Sequence, residues 1–364
     1  MHYRKLGSTG LWVSEVSFGT IPVLKGNVPV LPKYYNLEDD QAVALMRYAW
    51  ELGCNLYDTA IVPEYGDAEL KLGRFAKTVE RKRLIISDKA RFFDGDEMYR
   101  AVEQSIENLG EIPDIYFVHQ VDLDNADEVF GKFGALDALV ELKKEGKIRF
   151  TGIASHYYDV LLRGAKDSRV DVLQGSGNIL ERGMLERMAA QPDFQKKGLI
   201  INKVYAAGLL PGRFREQELI GGVLSYPVST ALLGIGTKEQ ADKAFLYEWD
   251  SKERCMPWEQ VLERLEQEFH PIGCDRCQRC VCLKGTEIHT LFRQSNYYHL
   301  GKDYWALRKL DLGIRESAQY CRKCTELTCM YQCPHSLWIP KLIQEICQLV
   351  ENHYQGQNTE RQEN

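Results

Sequence analysis

No run of 18 or more apolar residues occurs anywhere in the 364-residue chain, so no segment reads as a membrane-spanning helix. The opening MHYRKLGSTG has no apolar core of the kind a secretory leader carries. Positive charge is not in excess: 46 Lys and Arg stand against 52 Asp and Glu, for a formal net charge of -6. Such a balance lacks the basic surface that grips phosphate backbones, so nucleic acid is not an expected partner. The fingerprint GxGxxG is missing after the first apolar run, which removes the main sign of a dinucleotide-binding doubly wound sheet. Repeats at solenoid periods are missing too. These absences leave an expectation of a cytoplasmic protein with no membrane partner.

What is present is a rhythm. Between Val16 and Phe245 eight short apolar runs alternate with helical stretches: VSFGT, NLYDT, LIISD, DIYFVH, FTGIAS, VDVLQG, GLIINK and STALLG. Among the intervening segments, ALDALVELKKEGK places Leu136, Leu139, Val140 and Leu142 near one helical face. Eight such units predict an α/β fold, a (β/α)8 TIM barrel over residues 1–265. Ahead of it, MHYRKLGSTGLWVSEV reads as a hairpin turning at Gly7 to Gly10 and capping the lower end. KGNVPVLPKYYNLEDD is a long connection on the upper rim, and PWEQVLERLEQEF a late helix opened by Pro257.

Eleven cysteines in a chain expected to be cytoplasmic point to metal or redox chemistry rather than disulfides. Eight lie in two sets, CDRCQRCVC (Cys274, Cys277, Cys280, Cys282) and CRKCTELTCMYQCP (Cys321, Cys324, Cys329, Cys333). The spacing is close to the ferredoxin run, in which the fourth cysteine of each set ligates the other cluster. Cys274, Cys277, Cys280 and Cys333 would then hold one [4Fe-4S] cluster, and Cys321, Cys324, Cys329 and Cys282 the second. Paired CxxC knuckles also bind zinc, which remains the alternative. Residues 266–351 are thus expected to form a smaller, helical, ferredoxin-like iron–sulfur domain, closed by HSLWIPKLIQEICQLV, with a disordered tail over 352–364. Cys54, Cys255 and Cys347 stand apart and read as small core residues.

Barrel enzymes work at the C-terminal ends of strands. Those ends present Asp58, Lys89 and His119, with Tyr65 in the loop after the second strand. Singly, each has a plainer role: a helix cap, a surface ion pair, a core histidine. Together they suit hydride reduction of a carbonyl, which needs a proton donor at the oxygen. A tyrosine is a poor acid alone, and a neighbouring ammonium, held by an aspartate, favours its phenolate. The histidine would orient the substrate oxygen.

The stretches YRKLGSTGLWVSEVSFGT, NLYDTA, YGDAELKLG, SDKA, DIYFVHQVD, ALVELKKEGKIRFTGIASH, VLQGSGNIL and KVYAAG resemble the aldo/keto reductase family across most of residues 2–245. A branch of that family carries a ferredoxin-like C-terminal extension. The resemblance implies NAD(P)H, a carbonyl or alcohol substrate, and a catalytic tetrad of Asp58, Tyr65, Lys89 and His119. It also implies that Gly19, Thr20, Asp58, Ser155, His156, Gln174, Lys203 and Lys238 face the cofactor. The chain departs from the family at several positions. IVPE lengthens the Asp58–Tyr65 interval, His156 stands where an asparagine is common, and Asn202 replaces a side chain that stacks on nicotinamide. Gly236 takes an arginine position, and Asp242 and Ala244 replace a Glu-Asn pair. Lys238 would meet a 2′-phosphate as a point charge, or else be a solvated helix-start lysine.

Clusters pass single electrons and nicotinamide a two-electron hydride, so three workings stay open. The barrel is a carbonyl reductase with structural or redox-sensing clusters; or the clusters, fed by an external ferredoxin or flavodoxin, reduce a barrel-bound substrate; or the protein is a non-catalytic electron carrier.

Overall fold

The computed structural model describes residues 1–25, 36–246, 258–268, 270–274, 276–277, 279–301, 304–316 and 318–362. Two short strands, β1 (Tyr3–Lys5) and β2 (Trp12–Ser14), pair antiparallel as the expected hairpin. Eight parallel strands follow: β3 (Val16–Gly19), β4 (Leu56–Asp58), β5 (Ile85–Ala90), β6 (Ile115–Val118), β7 (Phe150–Ala154), β8 (Val172–Ser176), β9 (Gly198–Asn202) and β10 (Thr230–Gly234). They close into a barrel because β10 pairs with both β9 and β3. The helices around it are α1 (Asp39–Glu51), α2 (Ala68–Ala76), α3 (Gly95–Leu109), α4 (Ala126–Phe130), α5 (Ala135–Lys144), α6 (Tyr158–Lys166), α7 (Arg182–Ala190), α8 (Glu216–Leu224) and α9 (Lys238–Phe245). The α/β barrel is therefore as read.

Strand alternation decides which residues reach the lumen. Leu56, Ile85, Ile115, Phe117, Val172, Ile200 and Leu232 pack inside as one apolar cluster, and Leu6 and Val13 of the hairpin join it from below. The hairpin therefore plugs the base of the barrel, leaving the opposite end for chemistry. Phe117 fills the space beside Gly152, where an added Cβ would lie 2.2 Å from its ring. On α5, Leu136, Leu139 and Leu142 are buried as the pattern required, while Val140 is only partly covered.

One residue on the outer side of the barrel wall is a buried acid with an unusual neighbour. Asp88 alternates with Ser87 and Lys89 and so faces the helices, where it meets Glu69 of α2. Burial first, and then the Glu69 carboxylate, push the Asp88 carboxyl well above the usual range. Its Oδ1 accepts the Lys89 amide at 2.8 Å, while Oδ2 is sealed from solvent. A carboxyl with a raised folded pKa contributes stability that is fully present below the unfolded value, about 3.9, and lost as pH rises through the folded one. Asp88→Asn keeps the amide acceptor and removes the ionisation. Between pH 5 and pH 8 the parent should lose more stability in urea than the variant, by more than about 1 kcal/mol. Parallel losses would show that Asp88 is already ionised in the folded chain over this range, with no raised pKa.

Beyond the barrel lie α10 (Trp258–Glu268), α11 (Ile288–Gly301), α12 (Tyr304–Glu316), α13 (Thr328–Tyr331) and α14 (Ile339–Gln362). Leu291, Phe292, Leu307, Leu310, Ile343 and Ile346 form the core of this smaller module, continuous with that of the barrel. The expected boundary at 265 falls inside α10. The tail expected to be disordered instead continues α14 as far as Gln362, since its Glu, Gln and Arg residues suit a helix and no proline stops it. Cys54 and Cys347 are buried, as read. Cys255, Pro257 and residues 26–35 of the rim connection lie outside the described residues. No described helix is long and apolar enough to cross a membrane.

Candidate active site

Asp58 ends β4 and Lys89 sits near the end of β5, next to it in the barrel. Both side chains are almost fully buried, and the Lys89 ammonium donates to Asp58 Oδ2. Lys89 also donates to the Thr59 carbonyl at 2.8 Å. The second carboxylate oxygen, Asp58 Oδ1, accepts from Ser87 Oγ at 2.7 Å and from Gln174 Nε2 at 3.0 Å. Burial is the largest single influence and lowers the Lys89 pKa, but the Asp58 charge and hydrogen bond, with Tyr65 and Asp88, together outweigh it, so the ammonium is held firmly charged.

Tyr65 reaches this pair by a local device. Pro63 opens a single 3-10 turn, Pro63–Tyr65, closed by the Tyr65 amide on the Val62 carbonyl at 2.9 Å. The longer IVPE linker is absorbed there, and the turn sets the Tyr65 ring 4.9 Å from the Lys89 ammonium. The expected pKa effect is reversed, however. Burial raises the Tyr65 hydroxyl more than Lys89 lowers it, so the phenol stays protonated at neutral pH. His119 follows β6, and burial together with Lys89, Arg91 and Lys203 drives it well below the usual histidine range. It is therefore a neutral imidazole, and its Nδ1 is sealed with no partner among the described residues.

The residues assigned to the cofactor divide. Gln174 does not wait for a ligand with both ends, because its amide nitrogen already braces Asp58. Ser155 is likewise engaged: its hydroxyl donates to the Val121 carbonyl at 2.6 Å and accepts from the Tyr157 amide at 3.0 Å. Gly19 and Thr20 lie beside Asp58 at the end of β3, where the Thr20 hydroxyl donates to the Asp58 carbonyl at 2.9 Å. Lys238 stands apart at the start of α9, bound to Asp242 at 3.0 Å and to the Tyr48 hydroxyl at 2.8 Å. The remaining buried atoms are unpaired: Gln174 Oε1, His156 Nδ1 and Asn202 Oδ1 have no partner among the described residues. Unsatisfied buried polar groups are costly, and a primary amide such as a nicotinamide carboxamide would meet them with donors and an acceptor. The donor set thus fits that group.

Sequence reasoning missed four residues of this mouth. Ser87 was detectable, since it shares a strand face with Lys89 two positions on. Glu181, Arg276 and Arg293 gave no signal, because long-range packing alone brings them there. A cavity of about 450 Å³ also exists, but it lies at the hairpin end, lined by Trp12, Trp50 and Arg83, away from the tetrad.

The cysteine sets interleave. Cys280 is raised to about 12 by burial and by neighbouring Cys277, Cys333 and Cys329. Cys321 is raised to about 11 by burial and by Cys282, Cys329, Cys324 and Cys347. Cys282 differs: burial raises it, but the Thr286 hydroxyl and the amides of Thr286, Lys284 and Gly285 outweigh this and lower it. Among the described residues no three thiols, carboxylates or imidazoles stand in a ligand-ready group. The metal assignment therefore does not follow from the geometry alone.

A closed parallel barrel with a lysine, an aspartate and a tyrosine gathered at the C-terminal strand ends has the layout of a barrel oxidoreductase. The chain belongs to the aldo/keto reductase family, whose model matches residues 22–244. It is similar to L-galactose dehydrogenase of Arabidopsis thaliana, 33% identical over 168 residues, which covers 43% of this chain and 49% of that enzyme. D-threo-aldose 1-dehydrogenase of Pseudomonas sp is 25% identical over 238 residues, covering 56% of this chain and 69% of its own. The chain thus spans about half the length of the plant relative. In fold it resembles an aldo-keto reductase of Bacillus halodurans with a TM-score of 0.60 at 21% identity, covering 76% of this chain and 99% of that one.

Proposed function

We propose that this protein is an NAD(P)H-dependent oxidoreductase that reduces a small carbonyl compound, or oxidises the corresponding alcohol, and that its eight clustered cysteines hold two [4Fe-4S] clusters. The observation that supports the first part most directly is the Asp58–Lys89–Tyr65 arrangement. A neutral phenol beside a fixed ammonium can give its proton to a carbonyl oxygen and be left as a phenolate that the ammonium stabilises. Asp58 keeps Lys89 charged and aimed; Ser87 and Gln174 keep Asp58 in place. His119, being neutral, orients the carbonyl oxygen by hydrogen bonding without adding charge. Gln174 Oε1, Asn202 Oδ1 and His156 would hold the carboxamide of the nicotinamide, which supplies the hydride when bound.

Support for the clusters comes from donor chemistry. The neighbours of Cys280 include Cys333, and those of Cys321 include Cys282, which is the exchange of fourth ligands that ferredoxin spacing leads one to expect. Backbone amides facing Cys282 favour its thiolate form. A second reading has one observation in its favour. Arg276, between Cys274 and Cys277, packs over the Tyr157 ring at 5.4 Å, so the first thiol set borders the barrel mouth. On that reading an external ferredoxin or flavodoxin would feed single electrons through the clusters to the bound substrate.

Anaerobically purified protein should be brown and contain about eight iron atoms and as many sulfides per chain. Colourless protein with stoichiometric zinc would remove the clusters. Quenching of protein fluorescence by NADH or NADPH is the companion measurement. Absence of binding by either would sink the nicotinamide reading and leave the electron-fed one.

A further inference from the structure

Lys203, Arg276 and Arg293 influence one another where the C-terminal module meets the barrel, and among the described residues only Arg293 has an ion pair. Arg293 pairs with Glu181 at 3.4 Å and bonds the Tyr297 hydroxyl at 2.9 Å. Arg276 is 7% exposed, yet its Nε and Nη1 are sealed from solvent with no acceptor among the described residues. Lys203 ends the β9 run, and its ammonium has no hydrogen bond or ion pair among the described residues. Burial, then Arg293 and Arg276, lower Lys203 to about 8 against the pull of Glu181. His156 and His289 beside them are depressed by burial and by the same two arginines, so neither adds charge. Of the three cations only Arg293 is ion-paired, with Glu181, while the Asp122 and Glu287 carboxylates act on the Tyr157 ring that Arg276 covers. A buried charge without a counter-ion is costly unless a ligand supplies one.

Resting on the reductase reading, we propose that Lys203 and Arg276 form an anion site and that the carbonyl substrate is an oxo acid whose carboxylate they hold. Direction favours the substrate over the pyrophosphate of a dinucleotide. From Lys203 the cations run toward Tyr157 and His156 after β7, away from β10 and α9, where the adenosine end was expected. Lys203 also acts electrostatically on both His119 and Lys89, so the anion site shares the strand-end face of the barrel with the tetrad. A carboxylate is recognised there by charge-assisted hydrogen bonds to nitrogens that are otherwise idle.

The test uses anaerobically purified full-length protein with NADH and NADPH. Glyoxylate, succinic semialdehyde and 2-carboxybenzaldehyde are each compared with an uncharged aldehyde of the same skeleton. At least one acid should have a kcat/KM about tenfold or more above its neutral partner. Arg276→Gln should raise the KM for that acid by about 10- to 100-fold and leave the neutral aldehyde unaffected, and Lys203→Gln should raise the ratio of the acid's KM to that of the neutral aldehyde by a similar factor. Calorimetric titration with succinate, which cannot be reduced, gives a readout apart from turnover. Binding to the parent and loss in both variants are expected. Two variants on separate elements guard against misfolding of either one.

Equal preference for neutral aldehydes, with no succinate binding, overturns the proposal. So does weakened NADH or NADPH binding in the variants in place of weakened succinate binding, which would assign the anion to the pyrophosphate. A change only in iron content and visible spectrum on Arg276→Gln would assign it to a cluster and likewise overturn the proposal. If neither aldehyde class is reduced but succinate binding is lost in the variants, the reductase reading falls while the anion site stands.

Discussion

Replacing Tyr65 by phenylalanine should cut carbonyl reduction by about a hundred- to ten-thousandfold in kcat, with melting behaviour and visible absorbance unchanged. The substitution removes one oxygen and keeps the ring that the Lys89 ammonium faces at 4.9 Å, so packing and the cation–π contact survive. What is lost is the acid. The pH profile adds a second check, because both polar groups at the substrate oxygen are shifted out of the working range. Tyr65 is raised by burial and keeps its proton to higher pH than a free phenol. His119 is driven well below its usual range, so it does not charge as the solution is acidified to pH 6. Reduction of an uncharged aldehyde by the parent should therefore be flat between about pH 6 and pH 9. Near-normal turnover in Tyr65→Phe would disprove the assignment, and a step in the parent profile near pH 6.5 would show that His119 titrates after all.

How far the sequence reached follows from what kind of information each feature needs. Strand ends and helix faces repeat with fixed periods, so Asp58, Lys89 and His119 could be placed at the barrel mouth without coordinates. The hairpin was legible from Gly7 and Gly10. Tyr65 needed the turn that Pro63 opens, and its protonation needed burial, which no spacing encodes. Gln174 bonding Asp58 across the lumen, and Lys238 bonding Tyr48 of α1, join residues 116 and 190 positions apart. Such pairings depend on closure of the barrel. Arg276 was hidden by its own motif: between two cysteines it reads as a spacer, whereas the fold turns its side chain onto the rim.

Lys89→Met should destabilise the protein by about 3–5 kcal/mol and abolish reduction. Lys89 is 2% exposed and is the only cation that bonds Asp58 among the described residues. Its removal leaves a carboxylate in the lumen with only two neutral donors, the Ser87 hydroxyl and the Gln174 amide. Those hydrogen bonds solvate the charge in part but do not balance it. The loss should therefore come mainly from the stranded anion rather than from the missing lysine contacts. Adding Asp58→Asn tests this directly, since it deletes the charge while an amide oxygen still accepts from Ser87. The double variant should recover most of the lost stability in urea, a coupling that neighbours sharing one network are expected to show. Activity should stay absent in both, because neither restores an ammonium beside Tyr65. A double variant no more stable than Lys89→Met would mean that Asp58 is not stranded, and that Lys89 contributes by packing alone. In that case the phenol would lack the fixed positive field that makes it an acid, and the proton donor would have to be sought elsewhere on the rim.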